Sequence, residues 1–422
     1  MEQCMRTRNG TLVYSYTNPH LHSFSLCMYV KAGSMYESEE ENGITHFFEH
    51  AVIRNVDRLM DGGLYPLLDR LGLSLGGATY KEFVQFSISG AVKHWKEAVD
   101  IFLRLMEPLC LSEEELSIER KRVKAEIREC DKKKSLEART EQAVWKGTSL
   151  KFPITGSKKK LDRIGVKKLA AFREKFLSAE NLFFYVTGQC DENGLSYFVE
   201  RLEQYPLFNG SPRRENLAPR PEQFFIRTGI PVIAKGEETE VSISFDVDTS
   251  RYSNAMLCLF FDMLFTGDYC PVYQELSEKT GYIYSYDDQF ERYKNIGSLQ
   301  LCYQVAPGKL LKAFEKTMDI FLDLKKKTGT LEYVRAIYLD NAELALDDDN
   351  DFNWNRAYDC HILDEAYPDL EAKKQAFKEV TEEDMAKMAR EIFRTKNLTV
   401  VIKGNKKLIP ERKIRKQMKR LG

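Results

Sequence analysis

Two stretches of this 422-residue chain repeat one another half a chain apart. Residues 168–188 read as a helix ending at Phe176, then a strand Asn181-Leu182-Phe183-Phe184-Tyr185-Val186-Thr187-Gly188. Residues 384–404 repeat the plan, with a helix through Phe393 and then Asn397-Leu398-Thr399-Val400-Val401-Ile402-Lys403-Gly404. The asparagine precedes the glycine by seven residues in both, and the copies lie 216 residues apart. A period that long indicates two related domains and not a solenoid of short repeats. Between them, Pro206, Pro212, Pro219 and Pro221 with Asn209-Gly210-Ser211 give residues 206–222 a linker composition. The expected domains are therefore 1–205 and 223–422, a division that suits a chain too long for one ordinary core.

Apolar periodicity predicts strands near 11–17, 23–31, 73–78 and 83–90 in the first half. Helices are expected near 42–54, 62–71, 93–108, 112–147 and 160–176. In the second half the strands fall near 239–247, 282–289 and 297–305, and the helices near 250–266, 270–280, 307–326 and 330–346. Hairpin-joined strands with helices grouped between them indicate an α+β fold, each mainly antiparallel sheet covered by helices on one face.

The chemistry is concentrated in His46-Phe47-Phe48-Glu49-His50. His46 and His50 sit one helical turn apart on one face, where both imidazoles reach a single tetrahedral cation. Glu49 lies on the adjoining edge, able to hold a water without ligating. His-x-x-Glu-His is the inverted order of the zincin signature. The bland alternative is a solvated helix surface, and a third ligand decides between the two. Ser112-Glu113-Glu114-Glu115 reads as a capping box opening the long helix to about 147. On that helix Leu116, Val123, Ile127 and Cys130 form an inward stripe, and Glu119 and Glu126 share it, two turns apart within about 20°. Carboxylates on a core-facing stripe are costly unless something cationic meets them. Glu129, one turn past Glu126, competes for the role from off the stripe, and pairing of these acids with Lys and Arg on a wet helix is the other reading.

Composition excludes several classes. With 43% hydrophobic and 30% charged residues, the chain is an ordinary globular protein. A net charge of −1 gives no electrostatic case for nucleic acid. Nine scattered cysteines, odd in number and never Cys-x-x-Cys, argue for reduced thiols and a cytoplasmic protein. The N-terminus lacks an apolar h-region, and the best apolar run, Asn254 to Gly267, is interrupted by Asp262, so neither signal peptide nor membrane span is expected. Asp347-Asp348-Asp349-Asn350-Asp351 lacks the glycine and terminal glutamate of a calcium loop and reads as a solvated helix end or loop. The basic tail from Lys406 to Arg420 reads as a solvated terminal helix.

Lys31-Ala32-Gly33-Ser34-Met35-Tyr36-Glu37 followed by Gly43 to His50 resembles the start of the inverzincin metallopeptidases, the family of pitrilysin, insulin-degrading enzyme and mitochondrial processing peptidase. In that family the third ligand follows the second histidine by about 76 residues within Glu-Arg-x-x-Val-x-x-Glu. Here Glu119-Arg120-Lys121-Arg122-Val123-Lys124-Ala125-Glu126 places its last acid 76 residues after His50. The resemblance thus implies one Zn²⁺ per chain on His46, His50 and Glu126, with Glu119 as the acid behind the ligands. It also implies two homologous domains facing each other as a clamshell chamber, as in the short, two-domain, bacterial-type subunits. Zinc on three protein ligands keeps a position for water, and Glu49 would be the catalytic base for peptide hydrolysis.

The same resemblance implies substrate binding along an edge strand at Gly76-Gly77-Ala78-Thr79-Tyr80, where an extended peptide would pair through its backbone. The family's asparagine there is Gly77 in this chain. In Tyr273 to Ser285, Tyr284 matches a substrate-binding tyrosine, whereas Ser277 stands where the family has arginine. Serine supplies no guanidinium fork. The chain therefore resembles the zinc-bearing member of a two-subunit enzyme, expected to form a homo- or heterodimer with a related subunit that carries the Arg/Tyr pair. The alternatives are a non-catalytic scaffold subunit of the same fold, or a protease dedicated to removing leader peptides.

Overall fold

In the computed structural model, which describes residues 2–130, 135–205, 207, 231–234, 239–326, 329–365 and 367–422, the first half builds a six-stranded sheet. Its strands are β1 (Gln3–Arg6), β2 (Leu12–Thr17), β3 (Ser23–Val30), β4 (Ser74–Thr79), β5 (Val84–Ala91) and β6 (Leu182–Gly188). They are ordered β1-β2-β6-β3-β5-β4, with β2 and β6 parallel and every other pair antiparallel. The strand β1 was not expected. Its four residues are all exposed, so it carries no burial pattern to read.

The second half forms a five-stranded sheet from β7 (Pro231–Ala234), β8 (Thr239–Val247), β9 (Tyr286–Arg292), β10 (Gly297–Val305) and β11 (Leu398–Lys403). Its order is β7-β11-β8-β10-β9, again with one parallel pair, β7 and β11, and the rest antiparallel. Strand for strand this repeats β2-β6-β3-β5-β4. The two repeated strands recognised in the sequence, β6 and β11, hold the same place in each sheet. The fold is α+β.

The chain divides into two compact units, but not by one cut. The first comprises residues 1–131, 152–217 and 343–362, and the second comprises 132–151, 218–342 and 363–422. The long helix expected over 112–147 is consequently two helices. The first, α4 (Glu113–Cys130), belongs to unit one, and α5 (Leu136–Val144) packs on β8 and β11 in unit two. The capping box does open α4: Ser112 N–H donates to Glu115 Oε2 at 2.8 Å, and Glu115 N–H donates to Ser112 Oγ at 3.2 Å. The Cys130 side chain and the expected linker 206–222, Leu207 apart, lie outside the described residues.

The reciprocal segment corrects the expectation that the first sheet is covered on one face. On β3, Phe24, Leu26, Met28 and Val30 enter the main core, which α1 (Ile44–Leu59), α2 (Leu64–Leu71) and α3 (Trp95–Phe102) build with it. The intervening Cys27 and Tyr29 face the opposite side with Phe183 and Tyr185 of β6, and there Ala357 and Ile362 cover them. Asn353 is buried in that layer, accepting from Tyr29 Oη at 2.9 Å and donating to the Tyr185 carbonyl at 3.0 Å. The acidic run 347–351 is likewise not a solvated end throughout, since Asp348 caps the helix Asp349–Arg356 and Asp349 is buried. Nor is the basic tail simply solvated: in the helix Glu411–Met418, Ile414 and Met418 join the core of unit two.

Candidate metal centre

α1 begins abruptly, and its start has to be built by other residues. Gly43 stands before it with φ of 99°, where a Cβ would come within 2.9 Å of Gly156 Cα. It offers no side chain to cap the helix. The carboxylate of Glu37 does so from a distance, accepting from the backbone N–H of Gly43 and of Thr45 at 2.8 Å each and from Asn42 Nδ2 at 2.9 Å. This role was not read from the sequence, although Glu37 stands in the motif-like segment before α1. The first turns of α1 are buried almost all round, so His46 and Glu49 sit in the interior of unit one.

The chain brings the two histidines and Glu126 of α4 together. His46 Nε2 lies 3.4 Å from Glu126 Oε1, and His50 Nε2 lies 3.5 Å from Glu126 Oε2. One donor atom from each of the three falls within 4.8 Å of the others. Ligands about 2.1 Å from a tetrahedral zinc ion stand roughly 3.4 Å apart. The donor set, two imidazoles and a carboxylate, also suits zinc, so the residues fit the ion. His46 is buried while Glu126 is partly exposed, which leaves an open side. Glu129, the competing acid, is exposed and belongs to no such group among the described residues.

Glu119 lies behind the ligands, buried, with Oε2 3.5 Å from His50 Nδ1. Arg122 Nη1 donates to both its oxygens, at 3.0 and 3.2 Å, and Arg54 Nη1 lies 3.8 Å away. Burial alone would raise the Glu119 pKa, but the hydrogen bonds with His50 and Arg122 bring it below the ordinary carboxylate value. His50 is the counterpart. Burial opposes its charge, yet the bond to Glu119 and the charges of Glu49 and Glu126 push its pKa up. His46 has no such support, and burial together with the neighbouring His50 pulls it down to about 4.

Glu49 does not join the ligands. Its Oε2 accepts from Thr79 Oγ1 at 3.1 Å, on the edge strand β4. Gly77, the residue that stands for the family's asparagine, lies beneath the same carboxyl: a Cβ there would be 2.7 Å from Glu49 Oε1. The missing side chain is the space in which Glu49 rests. Burial raises the Glu49 pKa, with Glu126 adding to it and His50 and Thr79 opposing. Ala78 is the intervening residue of β4, with Leu75, Gly77 and Thr79 on the face towards α1 by alternation. Tyr284 belongs to unit two and is 95% exposed, and Ser277 Oγ donates to its carbonyl at 3.5 Å. Sequence reading missed Arg54 and Arg122. Arg122 offered a signal, standing one turn after Glu119 on the same helix.

Comparison with known proteins places the chain in a family. Residues 12–158 match the family described as Insulinase (Peptidase family M16), and residues 163–337 match the Peptidase M16 inactive domain. The chain belongs to peptidase family M16. It is 23% identical over 339 residues to an uncharacterized zinc protease of Rickettsia felis, spanning 78% of this chain and 80% of that one. The beta subunit of the mitochondrial-processing peptidase of Lentinula edodes is 24% identical over 195 residues, 46% of this chain and 42% of that protein. A protease from Helicobacter pylori shares the fold with a TM-score of 0.83 at 16% identity, over 96% of this chain and 99% of that one. His46, Glu49, His50, Glu119 and Glu126 all fall in the first of the two matched regions.

Proposed function

We propose that this chain is a zinc-dependent endopeptidase acting on short or unfolded peptides, and that it is the zinc-bearing subunit of a two-subunit enzyme. The observation that carries the first part is the convergence of His46, His50 and Glu126 beside a buried, unligated Glu49. When bound, zinc supplies Lewis-acid polarisation of a peptide carbonyl and makes water more acidic. Glu49 takes the proton of the attacking water and returns it to the leaving amine, a task for which a raised carboxyl pKa is suited. Thr79 holds Glu49 while leaving one carboxyl oxygen unshared by that bond. β4, an edge strand of small residues, offers its backbone to an extended peptide, which gives affinity with loose sequence preference.

Metal analysis of wild type, His50→Ala and Glu126→Gln should find about one zinc in the first and loss in both variants. Glu49→Gln should keep zinc and lose hydrolysis by about 10²–10⁴-fold. Full zinc in Glu126→Gln, or wild-type cleavage by Glu49→Gln, would refute the assignment. A chain that holds zinc and never cleaves peptides would be the scaffold subunit instead.

The partner follows from Ser277, which leaves the second half without the arginine that the resemblance calls for. The match of residues 163–337 to a domain described as inactive supports a half-complete chain, as does kinship with a protein that is itself a subunit. The expected partner is a related chain with an Arg/Tyr pair. Eight cysteines in the described residues are free, which supports a cytoplasmic setting, and no described helix is long and apolar enough to cross a membrane. Co-purification from the host and assay of each chain alone and mixed test the pairing; full activity of this chain by itself overturns it. Ser277→Arg should raise the activity of the isolated chain.

A further inference from the structure

Two imidazoles serve the proposed zinc site, and the structure treats them differently. His50 Nδ1 faces Glu119 Oε2 at 3.5 Å, so an Nδ1–H is held there and the Nε2 lone pair is left towards Glu126. His46 Nδ1 is buried and meets no hydrogen-bond partner among the described residues. Among the described residues, only His50 is therefore set in its ligating tautomer by a neighbour. What sets Glu119 in turn is the question. Its side chain is 1% exposed, a place where a carboxylate is expensive unless cations and donors surround it. Besides His50, two cations among the described residues face it. Arg54 from α1 stands 3.8 Å from Oε1, beyond hydrogen-bond range. Arg122, one turn along α4, spans both oxygens at 3.0 and 3.2 Å.

From this geometry we infer that Arg122 is a positioning residue for zinc: by pinning both oxygens of Glu119 it orients His50 before the metal arrives. The inference rests on reading His46, His50 and Glu126 as the ligands. Arg122 is no ligand itself, and its side chain is 60% exposed, so its removal opens no cavity in the core. Tyr65 of α2 also borders it. Once Arg122 is gone, Glu119 keeps His50 and the distant Arg54, its orientation is less fixed, and so is the bearing of His50. Groups that orient a metal-bound histidine are worth about 10–100-fold in metal affinity, and one acting through an intermediate carboxylate belongs at the lower end, about 10-fold.

The test is zinc affinity of the full chain, with no substrate present, by titration against a chromogenic chelator at fixed pH. Arg122→Ala should bind zinc about 10-fold more weakly than wild type. Arg122→Lys, which keeps the charge but not the planar guanidinium that directs Nη1 at both oxygens, should recover part of that loss. Introduced into Glu119→Gln, Arg122→Ala should have almost no further effect, because its route to the metal is already cut. Wild-type affinity in Arg122→Ala overturns the inference, as does an undiminished loss in the Glu119→Gln background. If Arg122→Ala fails to fold, Arg122→Lys carries the titration, and equal affinity to wild type in that variant, with Glu119→Gln weakened, overturns it too. A wild-type chain that takes up no zinc overturns the metal site itself, which is a distinct result from tight wild-type binding unaffected by Arg122.

Discussion

Replacing Gly77 with alanine separates the role of Glu49 from the stability of the strand beneath it. A Cβ at residue 77 would lie 2.7 Å from Glu49 Oε1, 2.8 Å from Cγ and 3.0 Å from Cδ, against 3.4 Å for ordinary contact. The carboxyl must therefore withdraw by roughly 0.7 Å. Its bond from Thr79 has little slack, since 3.1 Å is already long and about 3.6 Å is no hydrogen bond. The backbone of Gly77 has no positive φ, and the atoms in the way belong to a side chain that can swing, so the fold itself tolerates the methyl group. Loss of glycine from a strand should instead stabilise it, by about 0.5–1 kcal/mol. The charged hydrogen bond lost is worth about 1.5–3 kcal/mol. If it is needed in the transition state, turnover falls by roughly 10–100-fold. The assay compares kcat and KM of Gly77→Ala and wild type on one peptide, with zinc content and thermal midpoint measured on the same samples. The expected pattern is a lower kcat with zinc retained and the midpoint unchanged or slightly raised. Undiminished kcat in a folded, zinc-loaded variant would refute the placement of Glu49, and a falling midpoint would refute the packing argument.

Glu37→Ala strips the Gly43 and Thr45 N–H groups at the start of α1 of their acceptor, while Asn42 Nδ2 keeps the Pro153 carbonyl, and should cost about 2–4 kcal/mol in urea unfolding, with zinc affinity falling alongside. Glu2 gives a pH prediction away from the site. Burial works against its charge, but bonds with His361, Arg356 and Tyr185 prevail and hold its pKa at about 2. Its stabilisation is then complete above the ordinary value of 4.5 and is lost as pH falls from there to about 2. After discounting for partial exposure, Glu2→Gln should lose about 2 kcal/mol at pH 7 and show a flatter stability curve over that window, read by chemical unfolding at a series of pH values. Zinc removal should lower the thermal midpoint reversibly, and zinc at about 100 times its Kd should restore about 2.7 kcal/mol; an unchanged midpoint with chelator would count against the centre.

Much of this architecture was legible because the strands carry plain patterns. β3, β8 and β10 were placed within about a residue, and the repeated Asn-to-Gly segments gave β6 and β11. What was hidden is which sheet a helix covers. Residues 136–144 read as the end of α4, and residues 349–362 as the second half's own, since helical periodicity records a buried face and not the surface it is buried against. One clue was present. The unbroken apolar run Leu182-Phe183-Phe184-Tyr185-Val186 is the mark of a strand buried on both faces, as β6 is. At the site, fixed helical spacing made His46 and His50 readable, and Glu119 and Glu126 after them. Thr79 on Glu49 and Arg54 on Glu119 are contacts between separate elements, which no local pattern records. Gly77 stands for an asparagine whose contact is missing or replaced, and in the fold it leaves room for the Glu49 carboxyl.

The two sheets share one strand order, so they can be compared at the helix that follows the corresponding strand. After β3 comes α1, with His46, Glu49 and His50; after β8 comes Asn254–Phe265, which has no histidine and a single acid, Asp262. In that helix Leu257, Leu259, Phe260, Met263 and Leu264 simply fill the core of unit two. An apolar filling is therefore available to this topology and is the less costly choice, because burying His46, Glu49 and Glu119 removes three polar groups from water. A scaffold gains nothing from that cost. The first unit bears it where the donors converge, with Glu119 held by Arg122 and Glu49 held by Thr79, and that cost supports the proposed reading of the site as a metal centre.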